Sequence, residues 1–125
     1  MKTRYAVVLS MIAGVAIGAT AIQGLHAQAS KARVLMISES EIVNSAAVPG
    51  YNTEVKRVLK AAGGDLSISD KVIPVLGTAP QRVGVTEFDS VDKAQAWVKS
   101  KEREGLAPVR EKAVKIVRQY IIETR

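Results

Sequence analysis

Two segments of the sequence are apolar on both of the faces that a β-strand presents. They are residues 32–42, ARVLMISESEI, and residues 115–123, KIVRQYIIE. In the first segment, Val34 and Met36 are on one face and Leu35 and Ile37 are on the other. In the second segment, one face has Ile116, Tyr120 and Ile122 and the other has Val117 and Ile121. Two helices can cover only one face of a sheet, and an exposed apolar face usually marks an interaction surface. The pattern therefore predicts that a second copy covers the other face around a twofold axis, which makes the protein a homodimer.

A helix and an edge strand are predicted after the first of these segments. Residues 51–62, YNTEVKRVLKAA, have apolar residues at helical spacing, and Pro49 and Gly63-Gly64 suit the start and the stop of that helix. Residues 65–78, DLSISDKVIPVLGT, indicate a second strand that is broken in its middle and bent at Pro74. Because proline has no N–H to donate, this strand is expected at an edge of the sheet.

A third strand and further helical segments precede the last strand. Residues 81–88, QRVGVTEF, alternate, with Val83, Val85 and Glu87 on one face and Arg82, Gly84, Thr86 and Phe88 on the other. Asp89 or Ser90 can cap the next helix. Its inward face is predicted to be Val91, Ala94, Trp97 and Val98. Gly105 and Pro108 interrupt that helix, and PVREKAV, which begins at Pro108, predicts a last helical piece.

The order of these elements is strand, helix, strand, strand, helix, strand. With right-handed crossovers this order closes into a four-stranded antiparallel sheet with both helices on one face. The sequence therefore predicts an α+β fold of the ferredoxin-like βαββαβ type.

The amino-terminal segment has the pattern of a signal peptide over residues 1–29. MKTR is cationic, the 18 residues from Tyr5 to Ile22 are uncharged, and small residues follow that allow cleavage after Ala27 or Ala29. Residues 30–125 would then be a single periplasmic or secreted domain. The alternative is an uncleaved membrane anchor, since 18 residues lie at the lower limit for spanning a bilayer. The protein would contact a membrane only in that case.

Removal of this segment restricts the chemistry of the domain. The chain has no Cys, and its one His is His26. Zinc sites of the Cys/His kind, Cys- or His-ligated haem and Ser-His-Asp catalysis are therefore excluded, and we expect no metal and no cofactor. Loss of Lys2 and Arg4 leaves 16 basic and 12 acidic residues, a formal charge of +4. The signs are interspersed and aromatic residues are few, so nucleic acid is not an expected partner.

Four stretches of the sequence resemble a known family. They are GYNTEV, LKAAGG, QRVGVTEFDSVDKAQAW and LAPVREKA. Together they are similar to the exported members of the domain of unknown function 1330 family, in the dimeric α+β barrel group, over residues 32–124. The resemblance implies a ferredoxin-like fold and a dimer whose two sheets enclose a barrel, but it implies no reaction. Where relatives carry two aromatic residues after the tryptophan, this chain has Val98 and Arg103.

Two carboxylates are candidates for acid–base chemistry. Glu87 is the weak catalytic candidate, and Glu39 has the same alternation as Leu35 and Ile37 in the first strand. If the two strands are neighbours, the carboxylates could approach closely enough to raise one pKa. The alternative is that Glu87 is a strand-end carboxylate that is hydrated or paired with Arg82, Arg110 or a lysine.

The other candidate ligand-binding residues are cationic or aromatic. Arg110, early in the last helical piece, and Arg82 can each bind a carboxylate with a planar fork of donors. Tyr51 and Trp97 lie on the inward faces of their helices, where they pack in the core or line a pocket. No residue is assigned to bind a metal.

These features predict an exported homodimer that binds a small apolar or amphipathic molecule between sheet and helices. The first alternative is a cofactor-independent enzyme, of the monooxygenase or isomerase type, that uses carboxylate and arginine chemistry. The second is a dimerisation module that recruits another exported protein.

Overall fold

Residues 32–125, which a computed structural model describes, form the predicted succession of strands and helices. The elements are β1 (Arg33–Ile42), a 3₁₀ turn (Ser45–Ala47), α1 (Val48–Ala61), β2 (Asp65–Ser69), β3 (Arg82–Phe88), α2 (Val91–Val98), α3 (Lys101–Gly105), α4 (Ala107–Ala113) and β4 (Val114–Thr124). The predicted signal peptide lies outside the described residues. Among the helices of residues 32–125, none is both long enough and apolar enough to cross a bilayer.

The four strands form one antiparallel sheet in the order β2-β3-β1-β4. The two central strands, β1 and β3, are neighbours in the sheet but are separated along the chain by α1 and β2. Strands from the two halves of the chain therefore alternate across the sheet. This is the ferredoxin-like order, and it confirms the predicted fold class. The prediction that β2 is an edge strand is also confirmed.

The core lies between one face of the sheet and the helices. Its sheet side contains Val34, Met36 and Phe88, each at most 4% exposed. The helices and the junction between α3 and α4 contribute Tyr51, Val55, Leu59, Ala94, Trp97, Leu106 and Ala113. Since Val34 and Met36 occupy alternate positions of β1, Ser38 and Ser40 share their face, and two hydroxyls point toward the helices.

The helix ends follow their local sequence signals. Pro49 lies in the first turn of α1, and Gly63 has a φ of +88° just beyond its end, a left-handed conformation that glycine adopts without strain. Of the two predicted caps for α2, Ser90 is the one observed, because its Oγ accepts a hydrogen bond from the Lys93 N–H at 3.2 Å.

The last strand contains an irregularity that the sequence pattern did not predict. The pairing of β4 with β1 shifts between Arg118, which faces Glu39, and Ile116, which faces Ser40, so Val117 is an extra residue. Such a bulge moves the residues on its two sides out of phase. The prediction that Ile116 shares a face with Tyr120 and Ile122 is therefore wrong: Ile116 lies on the helix side.

The second strand is shorter than predicted. It ends at Ser69, and residues 70–81 form a connection without regular structure. Pro74 lies in this connection rather than at a bend within a strand. Its apolar neighbours Ile73, Val75 and Leu76 are 85%, 99% and 97% exposed.

Candidate functional site

A cavity of about 40 Å³ lies between the helix-facing side of the sheet and the helices. Its apolar walls include Met36, Tyr51, Leu59, Trp97 and Leu106. Three arginines also line it, Arg82 from β3, Arg103 from α3 and Arg110 from α4, and the described lining contains no Asp or Glu. The cavity therefore combines apolar walls with polar groups and three positive charges.

Arg82 is the most deeply buried of these cations, at 4% exposed. Its Nη2 donates to Asn52 Oδ1 at 2.7 Å, and its guanidinium lies 5.3 Å from the centre of the Tyr51 ring. Its Nε is buried and has no hydrogen-bond partner among the described residues. Burial lowers the pKa of Arg82, and the neighbouring Tyr51 hydroxyl opposes that shift. The guanidinium remains a cation, since arginine is not deprotonated in proteins.

Arg103 is held by a chain of hydrogen bonds that crosses the sheet. Ser100 caps α3 and its Oγ accepts from the Arg103 N–H at 3.2 Å. The Arg103 Nη2 donates to Gln119 Oε1 at 2.8 Å, and the Gln119 Nε2 donates to Ser38 Oγ at 2.7 Å. These bonds connect α3 to β4 and β1, and they fix the guanidinium at the cavity wall.

An open cleft adjoins the cavity beside α4 and β4. It has a volume of about 550 Å³ and shares Arg103, Arg110 and Ile116 with the cavity lining. Val43 and Val114 add apolar surface to the cleft. The cavity and the cleft are therefore neighbours that share the walls formed by Arg103, Arg110 and Ile116.

Two further groups complete the polar side of the cavity. Ser40 is fully buried, and its Oγ has no hydrogen-bond partner among residues 32–125. Burial raises the pKa of Tyr51, while the charges of Arg82, Arg110 and Arg103 act in the opposite direction. Because the net shift is upward, Tyr51 keeps its proton near neutral pH and can donate it in a hydrogen bond.

The two candidate carboxylates lie on the other face of the sheet. Glu87 pairs in register with Leu35, whereas Glu39 pairs with Val83. The two are four residues apart along the strands, about 13 Å, so the expectation of a close carboxylate pair is wrong. The carboxylate-and-arginine enzyme considered above therefore has no carboxylate in the described lining of this cavity.

Each carboxylate is bound by a different arginine. Glu87 Oε2 accepts from Arg33 Nη2 at 3.1 Å, so the predicted pairing with Arg82 or Arg110 is wrong. Glu39 accepts from Arg118 Nη2 at 2.9 Å and from the Tyr120 hydroxyl at 2.9 Å. The hydrogen bonds from Arg118 and Tyr120 hold the pKa of Glu39 below its ordinary value. A depressed pKa suits a structural ion pair rather than a general acid.

Of the six candidate ligand-binding residues, the structure brings four together at the cavity: Tyr51, Arg82, Trp97 and Arg110. The sequence did not predict Ser40, Gln119 or Arg103 as residues of the site. Arg103 was identified only as a position where the chain departs from the family. The sequence did contain a signal for Ser40. It alternates in phase with Val34 and Met36, and a polar side chain on a buried strand face indicates a structural or functional role. The described residues include no cluster of three His, Cys, Asp or Glu side chains that could hold a metal ion.

The face of the sheet opposite the cavity is apolar at its centre. Leu35, Ile37, Val83 and Val85 are partly exposed there, and Tyr120 and Ile122 are 44% and 38% exposed. The Glu39–Arg118 and Glu87–Arg33 ion pairs lie on the same face.

Comparison with known proteins identifies the family. The family model for a domain of unknown function (DUF1330) matches residues 33–124. The chain belongs to the DUF1330 family. The resemblance noted in the sequence is thereby confirmed, and the match spans all the secondary structure described above. None of the curated proteins matches the chain.

Solved structures similar to this DUF1330 domain share its fold at low sequence identity. HapK from Hahella chejuensis is 12% identical with a TM-score of 0.53, over 74% of this chain and 92% of its own. A dimeric ferredoxin-like protein of unknown function from Thermobifida fusca is 10% identical with a TM-score of 0.52, over 75% and 91%. A protein of unknown function from Rhodopseudomonas palustris is 14% identical with a TM-score of 0.53, over 79% and 87%.

Proposed function

We propose that this DUF1330 domain is a homodimeric binding protein that holds a small apolar or amphipathic molecule between its sheet and its helices. The observation that carries the proposal is the cavity under α1 and α2, where apolar walls surround two buried polar atoms without a hydrogen-bond partner among residues 32–125. Ligand sites are concave and mostly apolar, and a few convergent polar groups orient the ligand.

The size of the site requires both the cavity and the cleft. Ligand pockets commonly have volumes of about 300–1,000 Å³. The cavity alone, at about 40 Å³, is far smaller, but the adjoining cleft adds about 550 Å³. The ligand would place one end in the cavity and its body in the cleft, against Val43 and Val114.

The dimer is proposed because the outer face of the sheet needs a cover. Its central residues, such as Ile37 and Val85, are apolar and face away from the helices. A second copy that packs sheet against sheet would bury them, as the apolar patterning of β1 and β4 requires. The similar protein from Thermobifida fusca is described as dimeric, which supports the proposal.

Export is proposed from the pattern of residues 1–29 alone. A cationic start, an uncharged middle and small residues around Ala27 and Ala29 are typical of a cleaved signal peptide. The intact mass of the protein recovered from the periplasm or the medium tests this directly. Loss of the first 27 or 29 residues is the expected result, and a full-length membrane-bound product would overturn it.

Two measurements test the binding function. Sedimentation of the purified protein should give a dimer at micromolar concentration, and a stable monomer would contradict the proposed assembly. Thermal unfolding in the presence of a broad panel of small amphipathic molecules should show a raised Tm for some of them, because a ligand of the folded state stabilises it. A panel that never raises the Tm would contradict the proposed binding.

A further inference from the structure

We propose that the group recognised in the cavity is a carboxylate, carried by a molecule whose apolar part lies in the adjoining cleft. This inference rests on the proposed binding function and specifies the ligand class. It begins with charge: Arg82, Arg103 and Arg110 line the cavity without any Asp or Glu among its described lining. None of the three forms an ion pair with a carboxylate within residues 32–125.

Burial makes this arrangement costly without an anion. A charge removed from water needs a counter-charge or hydrogen bonds to every donor. Arg82 is 4% exposed, yet its contacts are the neutral Asn52 amide and the face of the Tyr51 ring. An anion in the cavity would supply the missing counter-charge to Arg82.

The cationic groups at the cavity suit a planar oxyanion rather than a point charge. Arg82 and Ser40 both line the cavity, and the Arg82 Nε and the Ser40 hydroxyl are buried without a hydrogen-bond partner among the described residues. An arginine fork matches the planar geometry of a carboxylate. Tyr51 also lines the cavity, and its protonated hydroxyl is a further potential donor.

The size of the cavity limits which part of a ligand it can hold. At about 40 Å³ it is far smaller than a typical ligand pocket, so it suits a small terminal group. The apolar part of the ligand would lie in the adjoining cleft.

Trp97 provides a direct readout of ligand binding. It is the single tryptophan of the chain, it is 4% exposed, and it lines the cavity. Hexanoate and hexanamide are suitable probes, because they have nearly the same shape and differ in charge. Titration of the full-length protein, followed by tryptophan fluorescence, should show hexanoate binding on the order of tenfold more tightly than hexanamide. Inorganic phosphate serves as a third probe.

Variants assign the preference to the cavity. We expect Arg110→Gln and Arg103→Gln each to weaken hexanoate binding by on the order of tenfold and to leave hexanamide binding unchanged. Both arginines are less buried than Arg82, so these variants should fold. Arg57→Gln is the matched control: Arg57 lies on the outer surface of α1, paired with Glu54, and lines an outer groove that Trp97 also borders. Arg57→Gln should leave both affinities unchanged.

The possible outcomes separate this inference from the proposed function. Equal affinities for hexanoate and hexanamide, or tighter binding of the amide, would overturn the carboxylate assignment and leave a small-molecule binding protein. Loss of hexanoate binding in Arg57→Gln but not in Arg110→Gln would place the anion in the outer groove and overturn it as well. Phosphate binding as tight as hexanoate binding would overturn the carboxylate assignment and indicate a site for a free oxyanion. Absence of binding for all three probes would overturn the inference, whereas a neutral ligand found in the thermal panel would still support the function.

Discussion

The guanidinium of Arg82 lies over the ring of Tyr51, 5.3 Å from its centroid, and joins the first residue of β3 to the first turns of α1. A buried cation is thus held by a π-face and by the Asn52 amide instead of a carboxylate. This arrangement leaves the Nε of Arg82 buried and without a hydrogen-bond partner among the described residues. The same contact therefore stabilises the fold and maintains a positive charge beside the cavity.

Replacement of the Tyr51 ring should destabilise the protein through this contact. A desolvated cation–π interaction contributes about 2 kcal/mol, and loss of a buried ring also leaves a cavity. We expect Tyr51→Leu to lower the free energy of unfolding by about 2–4 kcal/mol, measured by urea denaturation. Tyr51→Phe keeps the ring and should cost less than about 1 kcal/mol. Equal stability of the two variants would contradict this account of Arg82.

Two serines on the same face of β1 should respond in opposite ways to removal of their hydroxyls. Ser40 Oγ is buried without a partner among residues 32–125, so Ser40→Ala should raise the free energy of unfolding of the ligand-free protein by about 1 kcal/mol. Ser38 Oγ accepts from Gln119 at 2.7 Å, so Ser38→Ala should lower it by a similar amount. Urea titrations of both variants check the pair, and a destabilised Ser40→Ala would indicate that its hydroxyl is already satisfied.

The Glu39 ion pair should make stability depend on acidic pH. Hydrogen bonds from Arg118 and Tyr120 lower the folded-state pKa of Glu39 below 4.5. The folded protein therefore releases this proton more readily than the unfolded chain, and the stabilisation is present above about pH 4.5 and is lost as pH falls through the lower value.

Unfolding of the wild type and Glu39→Gln at a series of pH values measures this effect. The wild type should be the more stable at neutral pH, and the difference should shrink in acid. Glu41→Gln, at the next outward carboxylate of β1, is the control, since Glu41 is exposed. If the difference in stability between the wild type and Glu39→Gln stayed constant down to low pH, the ion pair would be ruled out as the source of that difference.

A charge at the centre of the outer sheet face should break the proposed dimer. Ile37 lies there, opposite Val85. Ile37→Lys would bury an unpaired charge between the two sheets, and we expect the dissociation constant to rise by on the order of a hundredfold or more. Analytical ultracentrifugation measures the change. Ala96→Lys, on the exposed side of α2, should leave the dimer intact, and an unchanged Ile37→Lys dimer would exclude sheet-to-sheet packing.

Local signals predicted most of the fold correctly. Pro49 and Gly63 mark the ends of α1, Ser90 caps α2, and the alternation in β3 assigned Glu87 and Val85 to one face, as observed. These features depend on neighbours within a few residues, so they can be read from a short stretch of sequence. The extent of β2 was wrong because strand patterning continued past Ser69, where the pairing with β3 ends.

Features that depend on residues far apart in the chain could not be derived in this way. An alternation of period two assigns a side chain to a face, but it does not say which residue of a neighbouring strand lies opposite. The register that separates Glu39 from Glu87 is set by pairing across about half of the domain. The bulge at Val117, which turns Ile116 toward the helices, likewise arises where β1 and β4 must both twist and pair.

The sequence by itself determined the order of the elements, the ends of α1, the cap of α2 and the apolar character of both sheet faces, because propensity, capping and alternation are local. Only the tertiary structure decided that Arg82, Arg103 and Arg110, from a strand and two separate helices, meet at one cavity. It also decided that Glu39 and Glu87 lie on the sheet face opposite that cavity. The physical reason is that a shared cavity is formed by packing between elements, and packing joins residues that no local pattern relates.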